Sequence, residues 1–119
     1  MYIQSYRELI VWQKSVILVK EVYLVTEKFP KSEIYGLTSQ LRRAAISIPS
    51  NIAEGYGRRS KKEFSHSCAI AYGSALEVET QIILSKELNF LKPEDCVLLE
   101  NILGEVLKML NSMILKIKN

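Results

Sequence analysis

Apolar positions recur along this chain at three- and four-residue spacing almost from end to end, the period of helices that each bury one face. Leu9, Trp12, Val16, Val19 and Tyr23 form one such stripe, and Val11, Leu18, Val22, Val25 and Phe29 a second beside it, predicting a first helix from about Glu8 to Lys28 that Pro30 stops. Leu37, Leu41, Ala44, Ile48 and Ile52 predict a second, from Tyr35 or Gly36 to about Gly55. Pro49 lies inside it; because the apolar spacing continues past the proline, a kink is expected there and not a break. Gly55-Tyr56-Gly57 reads as the helix end, glycine tolerating left-handed backbone angles.

Ser60-Lys61-Lys62-Glu63 has the form of a capping box, in which the serine hydroxyl accepts from the Glu63 amide and the glutamate reaches back to the amide of Ser60. It opens a third helix with Phe64, Cys68, Ala71, Ala75, Val78 and Ile82 as its buried row, ending near Leu88-Asn89. Ala71, Gly73, Ser74 and Ala75 are small, which predicts close approach of another backbone. The fourth helix is expected from Pro93, with Glu94 and Asp95 at its positive end and Lys116 and Lys118 at the other. Its core row is Leu99, Ile102, Val106, Leu110, Met113 and Ile117. No segment alternates as a strand would. The reading is all-α: a single domain over 1–119, folded as an antiparallel up-down-up-down four-helix bundle with short connections.

Three side chains do not fit a solitary bundle. Ile10, Ile17 and Leu24 repeat by seven among Gln13, Lys14, Lys20, Glu21, Glu27 and Lys28, opposite the core-facing stripes. Single exposed apolar residues are ordinary, but a heptad row among charges has the pattern of an oligomer seam.

Composition narrows the class. With 119 residues and 48% hydrophobic content the chain can bury about two-thirds of its unfolded surface without metals or disulfides. No apolar run approaches the ~18 residues a membrane span needs. Met1 to Glu8 lack the charged-then-apolar pattern of a secretory leader. Cys68 and Cys96 fall in helical patterns, the placing of reduced thiols in a cytoplasmic protein.

The net charge of +3 matters through its distribution. Residues 36–66 carry Arg42, Arg43, Arg58, Arg59, Lys61 and Lys62 against Glu54 and Glu63, six cations to two anions, which leaves −1 for the rest of the chain. Clustered basic charge suits an anionic partner. Arg58, Arg59, Lys61 and Lys62 flank the start of the third helix, where free amides attract anions while lysines oppose the helix dipole. Such a conflict fits phosphate contact; a solvated turn is the alternative. Arg43, Ser47, Asn51 and Glu54 form a polar stripe that reads either as a contact surface or as an internal hydrogen-bonded network, with Glu54 pairing an arginine or capping a neighbour.

Catalytic chemistry finds no footing. Glu63 and His66 have the Glu-x-x-His spacing of di-iron bundles, but His66 is the only histidine and such a site needs two pairs, so no metal site is expected. Cys68 takes a core position with no base to activate it. Gly55-x-Gly57 lacks the preceding strand of a phosphate loop. Tyr56 and Tyr72 could stack bases or simply fill helix contacts. No catalytic residue and no cofactor is expected.

The run Tyr35-Gly36-Leu37-Thr38-Ser39-Gln40-Leu41-Arg42-Arg43-Ala44-Ala45-Ile46-Ser47-Ile48-Pro49-Ser50-Asn51-Ile52-Ala53-Glu54-Gly55 resembles the signature of a four-helix-bundle family encoded in intervening sequences of bacterial 23S ribosomal RNA genes. Arg58 to Phe64, Ala71 to Glu77 and Leu9-Ile10-Val11-Trp12-Gln13 extend the likeness, while the last helix matches by hydrophobic pattern alone. The family includes the Avd (accessory variability determinant) proteins of diversity-generating retroelements. The resemblance implies a homopentameric ring without known catalytic residues, and for the Avd branch a reverse transcriptase partner and nucleic-acid binding through basic surface. This chain is more similar to the shared family signature than to that branch. Arg42 and Arg43 stand about 24 Å from Arg58 along a straight helix, too far for one patch in a subunit, although a ring could join them between subunits. The expectation is an oligomer that binds RNA or a nucleic-acid-processing partner through these six cations, with Ile10, Ile17 and Leu24 as its seam. A scaffold that binds a protein and never touches nucleic acid is the rival.

Overall fold

In the computed structural model, residues 5–118 are described, with the side chain of Lys118 excepted; the part of the leader expectation that rests on residues 1–4 lies outside them. Four helices form: α1 (Ile10–Thr26), α2 (Leu37–Gly57), α3 (Lys61–Glu87) and α4 (Val97–Lys118), with no strand among the described residues. Single 3₁₀ turns at Tyr6–Glu8, Lys31–Glu33 and Pro93–Asp95 lead into α1, α2 and α4. The first and fourth helices therefore start later than the sequence suggests, each after a tight turn.

The caps explain the boundaries. Ser5 Oγ accepts from the Arg7 amide at 3.1 Å and starts the first turn. Gly36 has no side chain with which to cap α2, and the carboxylate of Glu33 accepts from the Leu37 amide instead, at 3.1 Å. Ser60 caps α3 by accepting from the Glu63 amide at 3.3 Å. Only half of the expected box forms, because the Glu63 carboxylate turns to Arg58, 3.6 Å away. At the far end of α3, Asn89 is left-handed (φ 63), while its amide bonds the Lys86 carbonyl at 3.0 Å and the Phe90 amide that of Ser85 at 2.9 Å. This is a Schellman closure with asparagine in place of glycine.

Each helix packs on two neighbours, α2 with α3 most extensively, and the ring closes through α1 and α4. The body measures 44 × 25 × 21 Å. Leu18, Val22, Leu41, Ile48, Ile52, Val78, Ile82, Leu99, Val106 and Leu110 are all but sealed from solvent at its centre. At about 1.5–3 kcal/mol for each large apolar side chain, this burial is the main force holding the helices together. Ion pairs trim the seams: Lys14–Glu105 at 3.0 Å joins α1 to α4, Lys28–Asp95 at 2.8 Å joins the segment after α1 to the turn before α4, and Lys86–Glu100 at 2.7 Å joins α3 to α4. Exposed pairs of this kind add little to stability, because water screens them and ordering two long side chains costs entropy.

Three expectations need correction. Of the two stripes on α1, the one through Val11, Leu18, Val22, Val25 and Phe29 enters the core, whereas Val16 and Tyr23 of the other are exposed; α1 is apolar around most of its circumference, so spacing alone does not select the buried side. The second helix runs through Pro49 and ends at Gly57, within the expected Gly55-Tyr56-Gly57, but no glycine there is left-handed; the left-handed residue is Arg59 (φ 59). Of the small residues of α3, Ala71 and Ala75 are fully buried and Ser74 bonds Ser47 of α2, but Gly73 faces open space, with nothing within 4 Å of where its Cβ would lie; the glycine that a close contact needs is Gly55, where a Cβ would lie 2.4 Å from Ser67 Cβ. Gly55 serves contact between α2 and α3 and leaves the turn to an arginine.

Candidate nucleic-acid interface

The six cations separate into groups with different freedom. Arg42 is engaged by its own fold: its guanidinium lies 4.3 Å from the centre of the Tyr23 ring, and its Nε donates to Thr26 Oγ1 at 2.9 Å. A cation over an aromatic face that also makes a hydrogen bond is held in place, so Arg42 ties α2 to α1. Arg43, the next residue, points differently. It is exposed, without ion pair or hydrogen bond among the described residues, and lines both a cleft between α1 and α2 and a cleft between α2 and α3.

The second group sits where α2 hands over to α3. Arg58 closes α2 and pairs with Glu63, which offsets part of its charge. Arg59, Lys61 and Lys62 are exposed and unpaired among the described residues. Lys61 and Lys62 border a recess of ≈ 360 Å³ with Ser65 and Ile117 near the end of α4. Sixteen residues of continuous helix separate Arg42 from Arg58, about 24 Å at 1.5 Å per residue. The fold thus brings four cations together at one turn and keeps the other two apart from them.

The polar stripe of α2 divides as well. Ser47 and Asn51 form a bonded network: Asn51 Nδ2 donates to the Ser47 carbonyl at 2.8 Å and to its Oγ at 2.9 Å, and the Ser47 and Ser74 hydroxyls share a bond of 2.9 Å across to α3. Arg43 and Glu54 are exposed outside it. Tyr56 is taken up by an edge-on contact with Phe64, ring centres 5.9 Å apart, and Tyr72 packs against the core.

Cys68 is fully buried, and burial pushes its thiol up to about 11, so at neutral pH it is protonated and a poor nucleophile. Burial raises Cys96 too. His66 is exposed. Among the described residues no three His, Cys, Asp or Glu side chains gather as metal ligands would, and no helix is long and apolar enough to cross a membrane. Ile10, Ile17 and Leu24 are exposed by 59%, 45% and 48%, and so lie outside the core of the single chain.

One group of side chains escapes a reading of the sequence. Tyr35 in the turn before α2, Gln40 on α2, and Glu77 and Gln81 on α3 gather around the α2–α3 cleft beside Arg43. The three- and four-residue steps from Ser74 to Glu77 to Gln81 were the available signal, but it is shared with any polar helix face.

Fold and surface together define an all-α, four-helix protein with a basic inter-helix turn. The model of the 23S rRNA-intervening sequence protein family matches residues 7–112, and the chain belongs to that family. A comparison with curated proteins found no match.

Proposed function

We propose that this protein is a non-enzymatic, oligomeric module that binds RNA through the cations of the α2–α3 turn. Arg59 carries the reading. A non-glycine residue in the left-handed region costs roughly 1–2 kcal/mol, and a turn of this kind ordinarily takes glycine. Here it holds an exposed arginine with no partner among the described residues, between Arg58 and Lys61. A costly backbone position that displays an idle cation is explained by an anion that meets it. The amides at the start of α3 and the positive end of its dipole favour the same ligand, and the family's name attaches it to sequences within ribosomal RNA.

Binding of this type is led by phosphate contacts, with a steep dependence on salt. Arg43 and Arg42 form a secondary contact that a ring of subunits brings near the turn of a neighbour. Assembly runs through Ile10, Ile17 and Leu24, in the five-fold arrangement the family resemblance implies. Within each subunit the helices alternate in direction and α2 bends at Pro49; the pairings of Lys14 with Glu105, Lys28 with Asp95, Gln40 with Gln81 and Ser47 with Ser74, which descend on one helix as they rise on the other, support that alternation.

Fluorescence anisotropy with a structured RNA at several salt concentrations tests the function. Affinity should fall steeply as salt rises; an absence of binding, or a flat response, removes the proposal. The scaffold reading draws on the exposed Ile70, Leu76 and Ile83 of α3. A stoichiometric protein partner that survives nuclease treatment, from a protein that ignores RNA, would favour it.

A further inference from the structure

The cleft between α2 and α3 has a volume of ≈ 470 Å³, inside the range of about 300–1,000 Å³ typical of small-ligand sites. It is built more carefully than a surface groove requires. The bonded Ser47 and Ser74 hydroxyls lie along it. Gln81, only 7% exposed, donates from Nε2 to Gln40 Oε1 at 3.2 Å and to Glu77 Oε2 at 3.3 Å. One buried amide therefore fixes two surface side chains on different helices. It leaves Gln40 Nε2 and the other Glu77 oxygen without a partner among the described residues.

Two further features point to a ligand. Arg43 and Glu77 line the same cleft yet form no ion pair with each other, so it presents both a positive and a negative group. Tyr35 is 95% exposed at the cleft, an aromatic ring covered by nothing in the chain. An occupant that satisfies all four groups offers a flat ring to Tyr35, paired N–H donors to Glu77, an acceptor to Gln40 and an anion to Arg43. Among the bases, guanine alone places two adjacent N–H groups, N1 and N2, beside the O6 acceptor. Adenine and cytosine present a single amino group next to an acceptor, and uracil a single N–H. Stacking on an exposed tyrosine and hydrogen bonding to the Watson–Crick edge is how proteins read unpaired RNA bases.

We infer that this cleft binds an unpaired guanine nucleotide of RNA: Tyr35 stacks on the base, Glu77 and Gln40 read its edge, and Arg43 holds its phosphate. Gln81 is the positioning residue that sets the reading pair. The inference rests on the RNA-binding reading for the source of the nucleotide and adds base preference to a contact otherwise led by phosphate.

The test is calorimetric titration with guanosine, adenosine, cytidine and uridine monophosphates at one salt concentration, repeated with short single-stranded oligouridine that carries or lacks one guanine. Guanosine monophosphate should bind at least about 10-fold more tightly than the other three, the discrimination expected of one bidentate pair, and the guanine-containing oligonucleotide should win by a similar factor. Glu77→Gln, a change on an exposed side chain, should erase that preference without altering the melting curve. Arg43→Ala should weaken the monophosphate but not guanosine. Equal or absent binding of the four monophosphates, or a preference that survives Glu77→Gln, overturns the inference. So does a preference confined to the free nucleotide. Salt-dependent binding of structured RNA is read separately, so its loss would strike the RNA reading, and its persistence with no guanine preference would strike the cleft alone.

Discussion

Gly55 of α2 lies close against Ser67 of α3: a Cβ on the glycine would meet Ser67 Cβ at 2.4 Å and Oγ at 2.7 Å. The atom in the way is the root of a side chain on a helix, so it moves only if the helices separate. Forcing well-packed elements apart costs about 1–3 kcal/mol, more than the ~1 kcal/mol that alanine gains over glycine in a helix. Gly73 is the opposite case, helical with open space where its Cβ would go. Gly55→Ala should lower unfolding stability by about 1 kcal/mol or more, and Gly73→Ala should raise it by up to ~1 kcal/mol. Chemical denaturation of the pair checks this; two changes of the same sign would contradict the packing described.

The apolar row on α1 predicts an assembly. Ile10, Ile17 and Leu24 lie outside the core of one chain, so a charge among them leaves the monomer's fold in place and removes only association. Ile17→Lys should bring the sedimenting mass down to the 13.6 kDa protomer with helical content kept. An oligomer of unchanged mass would show that the seam lies elsewhere.

The turn before α4 predicts a pH effect. The Lys28 ammonium, 2.8 Å from Asp95, and after it the Lys92 amide at 3.1 Å hold the Asp95 carboxyl below its ordinary value of 3.8. A carboxyl whose pKa drops on folding stabilises the fold above its unfolded value, and that contribution is lost as pH falls through the lowered, folded value. Asp95→Asn should therefore melt below the parent at neutral pH, and the gap should close in acid. Thermal melts across the acidic range check it; a gap that stays constant below that value would contradict the assignment.

The helices were legible because apolar residues repeat at helical spacing for whole elements, and the proline, serine and acidic residues at their ends have local effects. Legibility failed where one residue type serves two purposes. Gly55 suits a left-handed turn and a close helix contact equally well in sequence, and only the neighbour, Ser67, decides. Val16 and Tyr23 repeat as core residues do, yet α1 has more apolar faces than α2 and α4 can cover. The cations were found because charge clusters in sequence, but not their freedom: Arg42 is held by Tyr23 and Thr26, sixteen or more residues away. The α2–α3 cleft was missed for the same reason, Gln40 and Gln81 meeting across forty-one residues of chain.

If Arg59 holds its unfavourable backbone position (φ 59) to meet an RNA phosphate, as proposed, Arg59→Gly separates the two effects. Glycine relieves the left-handed strain, so stability should rise by about 1 kcal/mol. Removing the cation should weaken binding to structured RNA and reduce the slope of log affinity against log salt by about one contact's worth. Stability and affinity measured on the same variant should thus move in opposite directions. A variant that is more stable and binds RNA with unchanged affinity and salt slope would show that the arginine does not meet a phosphate.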